Sequence, residues 1–567
     1  MHAHPNPPLR LVLSACLGAL CACAGPGDLK PAALSCEQLA GQTVPATAIA
    51  LPTGGARVTR AALVAAGGTA PKTIGEHCRV AGEIDPIDPA APKIKFEIAL
   101  PTEWNHRVLM LGGGGYDGTV PNVVGNVPAG PTDQPNPIGR GYAVFGSDSG
   151  HAGASNQAAF GVNDEALRNF ASEALKKTRD TAVYLIAKRY GEAPRRSYFA
   201  GGSTGGREAL AVTQKWPQDF DGAIVLYPAY NAASLDLQFG RITRALAVPG
   251  AYPNLAKRKA LYEAAMQACD AADGVVDGLI SDQASCNASF NPATAKLDGR
   301  PLRCEGGADT GDACLSDRQI AAMNVLNTPV VIDYPLGSGE NQYPGFNTWG
   351  TDFGRPGTGL QNTVSFFGLN SVAPGSPMPA PPASGTAGPP YGSIFWDQWV
   401  KYIVTRDPNF DSLALDPEHP GRWRARISEL TALQDVNKAD LSEFAGRGGK
   451  ILMAHGTSDQ LVSTRATEQY VNRLRATMGP ARADAFLRYY EIPGYNHAVS
   501  AVFNAAWDSL TALESWVEKG VAPVDPLVFD TAGVPGRSRP LCEYPLWPRY
   551  KGSGDVNAAA SFVCVGS

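Results

Sequence analysis

The fold of this chain is decided by the stretch Ser197-Tyr198-Phe199-Ala200-Gly201-Gly202-Ser203-Thr204-Gly205-Gly206-Arg207-Glu208. Its first residues are aromatic or small and predict the end of a buried strand, and apolar residues recur at helical spacing from Ala209 onward. Between them lies a Gly-x-Ser-x-Gly motif centred on Ser203. A strand, a tight turn and a helix in this order are typical of a nucleophile elbow, in which the serine has a positive φ. The alternative is a glycine- and serine-rich loop that matches by chance.

The composition is that of a large, loop-rich protein. The chain has 567 residues, of which 62 are glycine and 46 are proline, and its net charge is −5. This length allows a large core or two domains. Because the charge is near balance, nothing in it suits a nucleic-acid backbone. We expect a monomer without a nucleic-acid partner.

The N-terminus has the pattern of an export signal in residues 1–23. Arg10 precedes the apolar run 11–20, which is too short to span a membrane and has the length of a secretory signal. Leu20-Cys21-Ala22-Cys23 resembles a bacterial lipobox with Cys23 as the lipidated residue, and ordinary cleavage near Ala24 is the alternative. We therefore expect an exported protein, either a periplasmic or outer-membrane lipoprotein or a secreted protein.

Eight cysteines follow this leader. An even number in an exported chain indicates disulfides. Their clustering suggests sequential pairs, although eight cysteines allow many other pairings. The suggested pairs are Cys36–Cys78, Cys269–Cys286, Cys304–Cys314 and Cys542–Cys564.

Strand and helix patterns alternate on both sides of the elbow. An amphipathic helix is predicted over 171–190, and residues from the leader to about Pro92 look irregular. Strands are predicted over 93–100, 107–111, 142–148, 223–228, 450–454 and 486–492. This alternation predicts a mostly parallel sheet and an α/β-hydrolase core built from residues 24–230 and 437–567. Residues 231–436 contain helical pieces, cysteine pairs and Pro/Gly-rich loops, and we interpret them as an inserted lid domain.

A serine nucleophile requires a base, and the base requires an orienting carboxylate. In α/β-hydrolases these follow in the order Ser, Asp or Glu, His. Asp459 comes just after strand 450–454 and is the predicted acid, and His497 follows strand 486–492 and is the predicted base. His151 and His455 also follow strand ends and are the alternatives for the base.

Two further segments carry candidate binding groups. The turn 112–115 is four glycines after an early strand, where this fold supplies an oxyanion N–H, and Gly115 is the predicted donor. Residues 269–279 hold Asp270, Asp273 and Asp277 around two glycines. Carboxylates in this density suit a hard cation bound by oxygens, although the spacing is not that of an EF-hand. An acidic surface loop is the alternative.

Together these motifs resemble the tannase/feruloyl esterase family, including its branch that hydrolyses terephthalate monoesters. The resemblance spans the mature chain and is strongest at 197–208, 269–282, 455–459, 493–497, 539–542 and 549–555. It implies an α/β-hydrolase with a large lid that cleaves esters of aromatic acids through an acyl-enzyme. It implies a triad of Ser203, Asp459 and His497, with oxyanion N–H groups from Gly115 and Thr204.

The same resemblance implies a calcium ion in the lid. Its ligands would be the carboxylates of Asp270, Asp273 and Asp277 and the carbonyls of Val275 and Leu279. The four disulfides suggested above also match the family.

The chain departs from the family at one place. Relatives have a cysteine before the nucleophile and another after the base, joined as a disulfide, but this chain has Gly202 and Ala498 there. Because relatives bridge these positions, we expect cysteines introduced at both to cross-link.

The expected substrate pocket contains Phe395 and Trp396, which would stack on an aromatic ring, and Leu461 and Val462. The terephthalate enzymes grip a distal carboxylate with a lid arginine, but the corresponding stretch 389–397 has none and contains Asp397. We expect neutral aromatic esters to be preferred, unless Lys401 or Arg406 reaches the pocket. Three other functions remain open: a terephthalate monoester hydrolase, a serine peptidase of the same fold, and a non-catalytic surface binding protein.

Overall fold

The computed structural model describes residues 1–2, 33–380 and 387–566. The predicted lipobox with Cys23 lies outside the described residues. Among the residues that are described, no helix is long and apolar enough to cross a membrane.

The strands of the described residues are β1 (Thr43–Val44), β2 (Gly55–Val64), β3 (His77–Asp85), β4 (Ile94–Pro101), β5 (Arg107–Leu111), β6 (Ala143–Ser147), β7 (Arg196–Gly202), β8 (Gly222–Leu226), β9 (Lys296–Leu297), β10 (Arg300–Pro301), β11 (Val330–Val331), β12 (Gln342–Tyr343), β13 (Lys450–Gly456), β14 (Leu487–Ile492), β15 (Ala505–Ala506), β16 (Leu527–Asp530), β17 (Ser538–Pro540), β18 (Trp547–Tyr550) and β19 (Phe562–Val565).

The α-helices of the same residues are α1 (Cys36–Leu39), α2 (Asp164–Arg168), α3 (Ala174–Tyr190), α4 (Thr204–Lys215), α5 (Ala232–Leu246), α6 (Leu255–Cys269), α7 (Gln283–Ser289), α8 (Asp317–Asn327), α9 (Leu360–Phe367), α10 (Tyr391–Gln398), α11 (Arg424–Gln434), α12 (Ser442–Gly446), α13 (Thr464–Met478), α14 (Pro480–Asp484) and α15 (Ser509–Lys519).

One large sheet organises the molecule, in the order β1-β2-β3-β4-β6-β5-β7-β8-β13-β14. Strands β1 to β4 pair antiparallel, and every pair from β6 to β14 is parallel. Successive residues of a strand face opposite sides, so in β8 Ala223 and Val225 join one buried cluster while Ile224 and Leu226 join the other. This sheet, covered on both faces, is the α/β-hydrolase fold predicted from the sequence.

The first part of the chain differs from the prediction of an irregular segment. Strands β2 and β3 pair as a long antiparallel ladder, and β3 continues the sheet onto β4. Half of β2 is exposed and its residues show no clean alternation, so its sequence carries little strand signal. Pairing with β1 and β3 fixes it instead, while the Cys36–Cys78 disulfide joins α1 to β3. Near the predicted helix 171–190, a π-helical turn over Asn169–Glu173 precedes α3, which begins at Ala174.

The segment between β8 and α12 leaves and re-enters the core at one point. Asn231 and Asp435 form an isolated antiparallel bridge, and the Val436 N–H donates to the Tyr230 carbonyl at 2.7 Å. The carboxylate of Asp435 accepts from the Ser234 hydroxyl at 2.6 Å. These contacts tie together the two ends of the segment that we interpret as the lid.

Four disulfides are present within residues 33–380 and 387–566, and they join the same pairs that the sequence suggested. They are Cys36–Cys78, Cys269–Cys286, Cys304–Cys314 and Cys542–Cys564.

Candidate active site

Ser203 occupies the turn between β7 and α4. Its φ is 60° and its ψ is −123°, a strained conformation for a residue with a side chain. The turn is so tight that a Cβ on Gly201 would overlap the backbone of Gly205, which is why position 201 requires glycine. The Ser203 N–H donates to the carbonyl of Leu226 at 3.0 Å, so the neighbouring strand anchors the turn.

His497 and Asp459 meet Ser203 at the carboxyl edge of the sheet. The Nε2 atom of His497 lies 3.0 Å from the Oγ atom of Ser203, and its Nδ1 atom lies 2.8 Å from Oδ2 of Asp459. The three residues follow β7, β13 and β14, whose carboxyl ends point to one side because the strands are parallel. The structure therefore brings together the three residues predicted as nucleophile, acid and base.

Asp459 is held in one orientation. Its Oδ1 atom accepts the N–H groups of Leu461 and Val462, both at 2.8 Å. Burial raises the pKa of this carboxyl. The neighbouring charge of His497 and the hydrogen bonds from His455 and His497 lower the pKa by more than burial raises it, so the net value is well below the usual one. Asp459 is thus an ionised carboxylate that accepts four donors.

The two alternative bases do not contact Ser203. His455 is fully buried behind Asp459, with Nε2 3.2 Å from Oδ2 of Asp459 and Nδ1 2.9 Å from the Thr467 hydroxyl. His151 stacks on Phe160 at 3.9 Å between ring centroids, and neither of its ring nitrogens has a partner among the described residues. Burial lowers the pKa of His151 to about 4.

The predicted oxyanion residues lie next to each other beside Ser203. Thr204 begins α4, so its N–H has no intrahelical acceptor, and its hydroxyl donates to the Gly115 carbonyl at 2.5 Å. Gly115 has φ 62°, and a Cβ there would overlap the carbonyl of Ser155. Glu208 accepts the Gly113 N–H at 3.0 Å and so anchors the glycine turn to α4.

A cavity of about 400 Å³ opens beside Ser203. Phe395, Leu461 and Val462 line it, as predicted. Its other aromatic lining residues are Tyr116, Phe170, Tyr227, Phe239, Phe367 and Tyr391. The prediction for Trp396 is wrong: its indole N–H donates to the Ser412 carbonyl at 3.1 Å and its ring packs on Gly240, away from the cavity. Neighbouring residues of helix α10 point about 100° apart, so Phe395 and Trp396 cannot both face the substrate.

Among the described residues that line the cavity there is no lysine or arginine, and Asp236 is the one carboxyl group. Lys401 is paired with Asp397 at 2.9 Å, and Arg406 is paired with Asp164. Asp397 itself also accepts from the Ser412 hydroxyl. The two cations considered from the sequence are therefore engaged elsewhere, and the acid in the cavity is Asp236, which the sequence analysis did not single out.

The aspartate-rich loop contains oxygen atoms that could bind a metal ion, but they are not gathered around one point. Asp270 accepts the N–H groups of Asp277 and Gly278 at 3.1 and 3.0 Å. Asp277 pairs with Arg539, while Oδ2 of Asp273 is buried without a partner. In the described part of the chain, no three acidic, histidine or cysteine side chains converge closely enough to hold a metal. The unpaired carboxylate oxygen of Asp273 is the kind of ligand that a hard cation prefers. Asp277, in contrast, is already paired with Arg539, which would compete with a cation for it.

The fold and this arrangement define the class as an α/β-hydrolase with a serine at its elbow. The chain belongs to the tannase and feruloyl esterase family, whose sequence model matches residues 78–565. The resemblance inferred from the motifs is thereby confirmed, and the family is one of carboxylic ester hydrolases.

Relatives extend over nearly the whole chain. An uncharacterized esterase of Agrobacterium fabrum is 36% identical over 540 residues, which is 93% of this chain and 92% of that protein. Mono(2-hydroxyethyl) terephthalate hydrolase of Piscinibacter sakaiensis is 31% identical, covering 86% and 85%. Among solved structures, feruloyl esterase B from Aspergillus oryzae matches with a TM-score of 0.72 at 24% identity, covering 90% of this chain and 97% of that one. That likeness shows the fold alone.

The cross-link expected between positions 202 and 498 stays a prediction, and in this structure Tyr227 occupies the space that the first of the two cysteines would need. A Cβ on Gly202 would lie 2.5 Å from Cε2 and 2.6 Å from the hydroxyl oxygen of Tyr227. Such distances are shorter than van der Waals contact, so a cysteine does not fit while Tyr227 holds its place. This contact could not be predicted from the sequence, because Gly202 ends β7 whereas Tyr227 follows β8.

Proposed function

We propose that this protein is an exported serine esterase that cleaves neutral esters of aromatic acids. The observation that carries the proposal is the hydrogen-bonded chain from Ser203 through His497 to Asp459 at the mouth of an aromatic cavity. Family membership supports ester hydrolysis, and the cavity supports an aromatic acyl group.

In the proposed mechanism, Ser203 Oγ attacks the ester carbonyl carbon while His497 Nε2 takes the hydroxyl proton. Asp459 accepts a hydrogen bond from the Nδ1–H group of His497. This bond holds the imidazole in the tautomer whose Nε2 is free to act as base. The developing oxyanion is stabilised by the N–H groups of Gly115 and Thr204. His497 then gives the proton to the leaving alcohol, and an acyl-enzyme remains. In the second half of the reaction, His497 takes a proton from a water molecule, which attacks the acyl carbonyl carbon. The bond to Ser203 Oγ then breaks, His497 returns the proton to Oγ, and the free acid leaves.

The cavity favours an uncharged acyl group. A second carboxylate, as in a terephthalate monoester, would lose water without meeting a cation, which is costly. Burial, and then the neighbouring Asp435, raise the pKa of Asp236 well above its usual value. The Asp236 carboxyl group can accept a hydrogen bond from a ring hydroxyl. We therefore propose hydroxylated aromatic esters, such as hydroxycinnamates or hydroxybenzoates, as the substrate class.

A phosphonate probe tests the reaction directly. The purified protein is expected to be labelled at Ser203 and to lose ester hydrolysis, whereas Ser203→Ala is neither labelled nor active, with a loss of several orders of magnitude. Ser289→Ala, which changes an exposed serine of α7, is the matched control and should behave like the parent. Parallel ester and amide substrates separate an esterase from a peptidase. Absence of labelling in the parent would instead favour the non-catalytic binding protein.

We also propose that the aspartate loop binds calcium. Asp270, Asp273 and Asp277, with the carbonyls of Val275 and Leu279, would hold the ion, and the orphaned oxygen of Asp273 supports this. The ion would neutralise the loop and order it. It has no part in the reaction steps above.

Export with a lipid anchor is the last element of the proposal. Four disulfides support an oxidising compartment, and Cys23 is the proposed site of lipidation. Incorporation of labelled palmitate into the parent but not into Cys23→Ala tests the anchor, and equal incorporation contradicts it.

A further inference from the structure

A buried tyrosine fills the space between the nucleophile turn and the base loop. Tyr227 is the first residue after β8, is 5% exposed, and has φ 34°. Positive φ is unfavourable for a bulky residue. Backbone strain of this kind persists only where surrounding contacts determine it, and the Tyr227 ring has such contacts on two sides.

On one side the ring contacts the nucleophile turn. Its Cε2 and hydroxyl oxygen lie where a side chain at position 202 would begin. Gly202 directly precedes Ser203, so the absence of a side chain there lets the Tyr227 ring pack against the turn itself. The ring limits movement of the turn toward β8.

On the other side the ring contacts the base. The rings of Tyr227 and His497 are 4.9 Å apart between centroids at 61°, an edge-to-face arrangement. The ring of Tyr495, two residues before His497, lies 6.1 Å away at 62°. Tyr227 therefore packs on both the imidazole and the loop that carries it.

The loop that carries His497 is closed by a hydrogen bond of its own. The Tyr495 hydroxyl donates to the carbonyl of Ala498 at 2.7 Å, so the residues on either side of His497 are joined. Because the Tyr227 ring packs against the Tyr495 ring, it contacts this closed loop as well as the imidazole.

We propose that Tyr227 is a positioning residue that clasps the nucleophile turn to the base loop and holds His497 Nε2 against Ser203 Oγ. It does so without a covalent link. The inference rests on the proposed function, because it assigns His497 the role of base. Removing the clasp should leave Ser203 and His497 present but poorly aligned, and misplacement of about 1 Å costs about 100-fold in rate.

The first test is Tyr227→Gly. Glycine suits the positive φ, so backbone strain falls while the ring is lost. We expect kcat to fall by about 100-fold and the melting temperature to stay within a few degrees. Because the Tyr227 ring also lines the cavity, KM should rise, but by less than kcat falls. Tyr227→Phe keeps the ring and its packing and loses only the hydroxyl, so it should retain most of kcat. A Tyr227→Gly variant with kcat within twofold of the parent would overturn the proposal.

The second test replaces the clasp with a covalent one. Gly202→Cys and Ala498→Cys are combined with Tyr227→Gly, because the glycine clears the space for the cysteine at position 202. Thiol titration should then show a new disulfide. In this cross-linked variant, kcat should recover about tenfold or more relative to Tyr227→Gly alone. The matched control carries Gly202→Ser and Ala498→Ser with Tyr227→Gly and cannot cross-link. In the parent background the two cysteines should stay reduced.

Equal kcat in the cross-linked and serine variants, or two free thiols in the glycine background, would overturn the positioning role. Labelling of Ser203 in the parent is measured separately, so failure of the clasp is distinguishable from failure of the esterase proposal.

Discussion

The Nε2 atom of His455 lies 3.2 Å from the Oδ2 atom of Asp459, the same oxygen that accepts from His497. Nε2 of His455 also lies 3.2 Å from the carbonyl oxygen of Val462. Both neighbours are acceptors, so Nε2 carries a proton, and Nδ1 lies 2.9 Å from the Thr467 hydroxyl. His455 thus donates to Asp459 and helps to hold the carboxylate in position.

From this contact we predict that His455→Ala lowers kcat by about tenfold. Asp459 loses one of the donors that hold it in position against His497, and one hydrogen bond is worth about 1–2 kcal/mol. Thr467→Val, which removes only the outer partner, is the milder control. An unchanged rate in His455→Ala would show that the contact is incidental.

The substrate proposal predicts an order of kcat/KM. Methyl ferulate and methyl gallate should exceed the mono(2-hydroxyethyl) terephthalate ester. Asp236→Leu should lower kcat/KM for methyl ferulate by about tenfold, the value of one buried hydrogen bond, and leave methyl cinnamate, which lacks the ring hydroxyl, nearly unchanged. If the charged monoester is the best substrate of the parent, the cavity holds a cationic partner and the proposed substrate class is wrong.

For the aspartate loop we predict one calcium ion per chain by elemental analysis. Chelation should lower the melting temperature clearly and change kcat little. A ligand present at 100 times its Kd stabilises the folded state by about 2.7 kcal/mol, and the ion takes no part in the proposed reaction. Asp273→Asn should abolish the chelator effect, whereas Asp133→Asn, at an exposed site, should not. Metal-free protein with no response to chelator would refute the calcium proposal.

His151 predicts a loss of stability in acid. Its pKa is lowered by burial to about 4 in the folded state, against about 6.5 in the unfolded chain. Between these values the unfolded state binds more protons, so stability falls as pH drops from about 6.5 to about 4. The full difference is about 3 kcal/mol.

His151→Phe, which retains a ring to stack on Phe160, should remove this loss. The difference in unfolding free energy between variant and parent is expected to grow as pH falls from 7 to 4. His419→Gln, at an exposed loop, should track the parent. A constant difference across this range would mean that His151 does not titrate as described.

The chemistry of the site could be predicted from sequence because each group follows a local signal. Ser203, Asp459 and His497 each come just after the end of a predicted strand, and parallel strands deliver their carboxyl ends to one edge. The glycine turn 112–115, which is predicted to donate to an oxyanion, also comes directly after a strand. Sequential cysteine pairs were also within reach, since their partners are close along the chain.

Only the tertiary structure decided which side chains surround that chemistry. Tyr227 meets Gly202 because β7 and β8 are neighbours, and it meets His497 because that loop follows β14 in the same sheet. Asp236 and Phe395 face the cavity, and Trp396 does not, through the packing of α5 and α10. Strand β2 forms by pairing with β3, without a strong pattern of its own. Local patterns act over a few residues, whereas these contacts join distant segments whose proximity is set by strand order and helix packing.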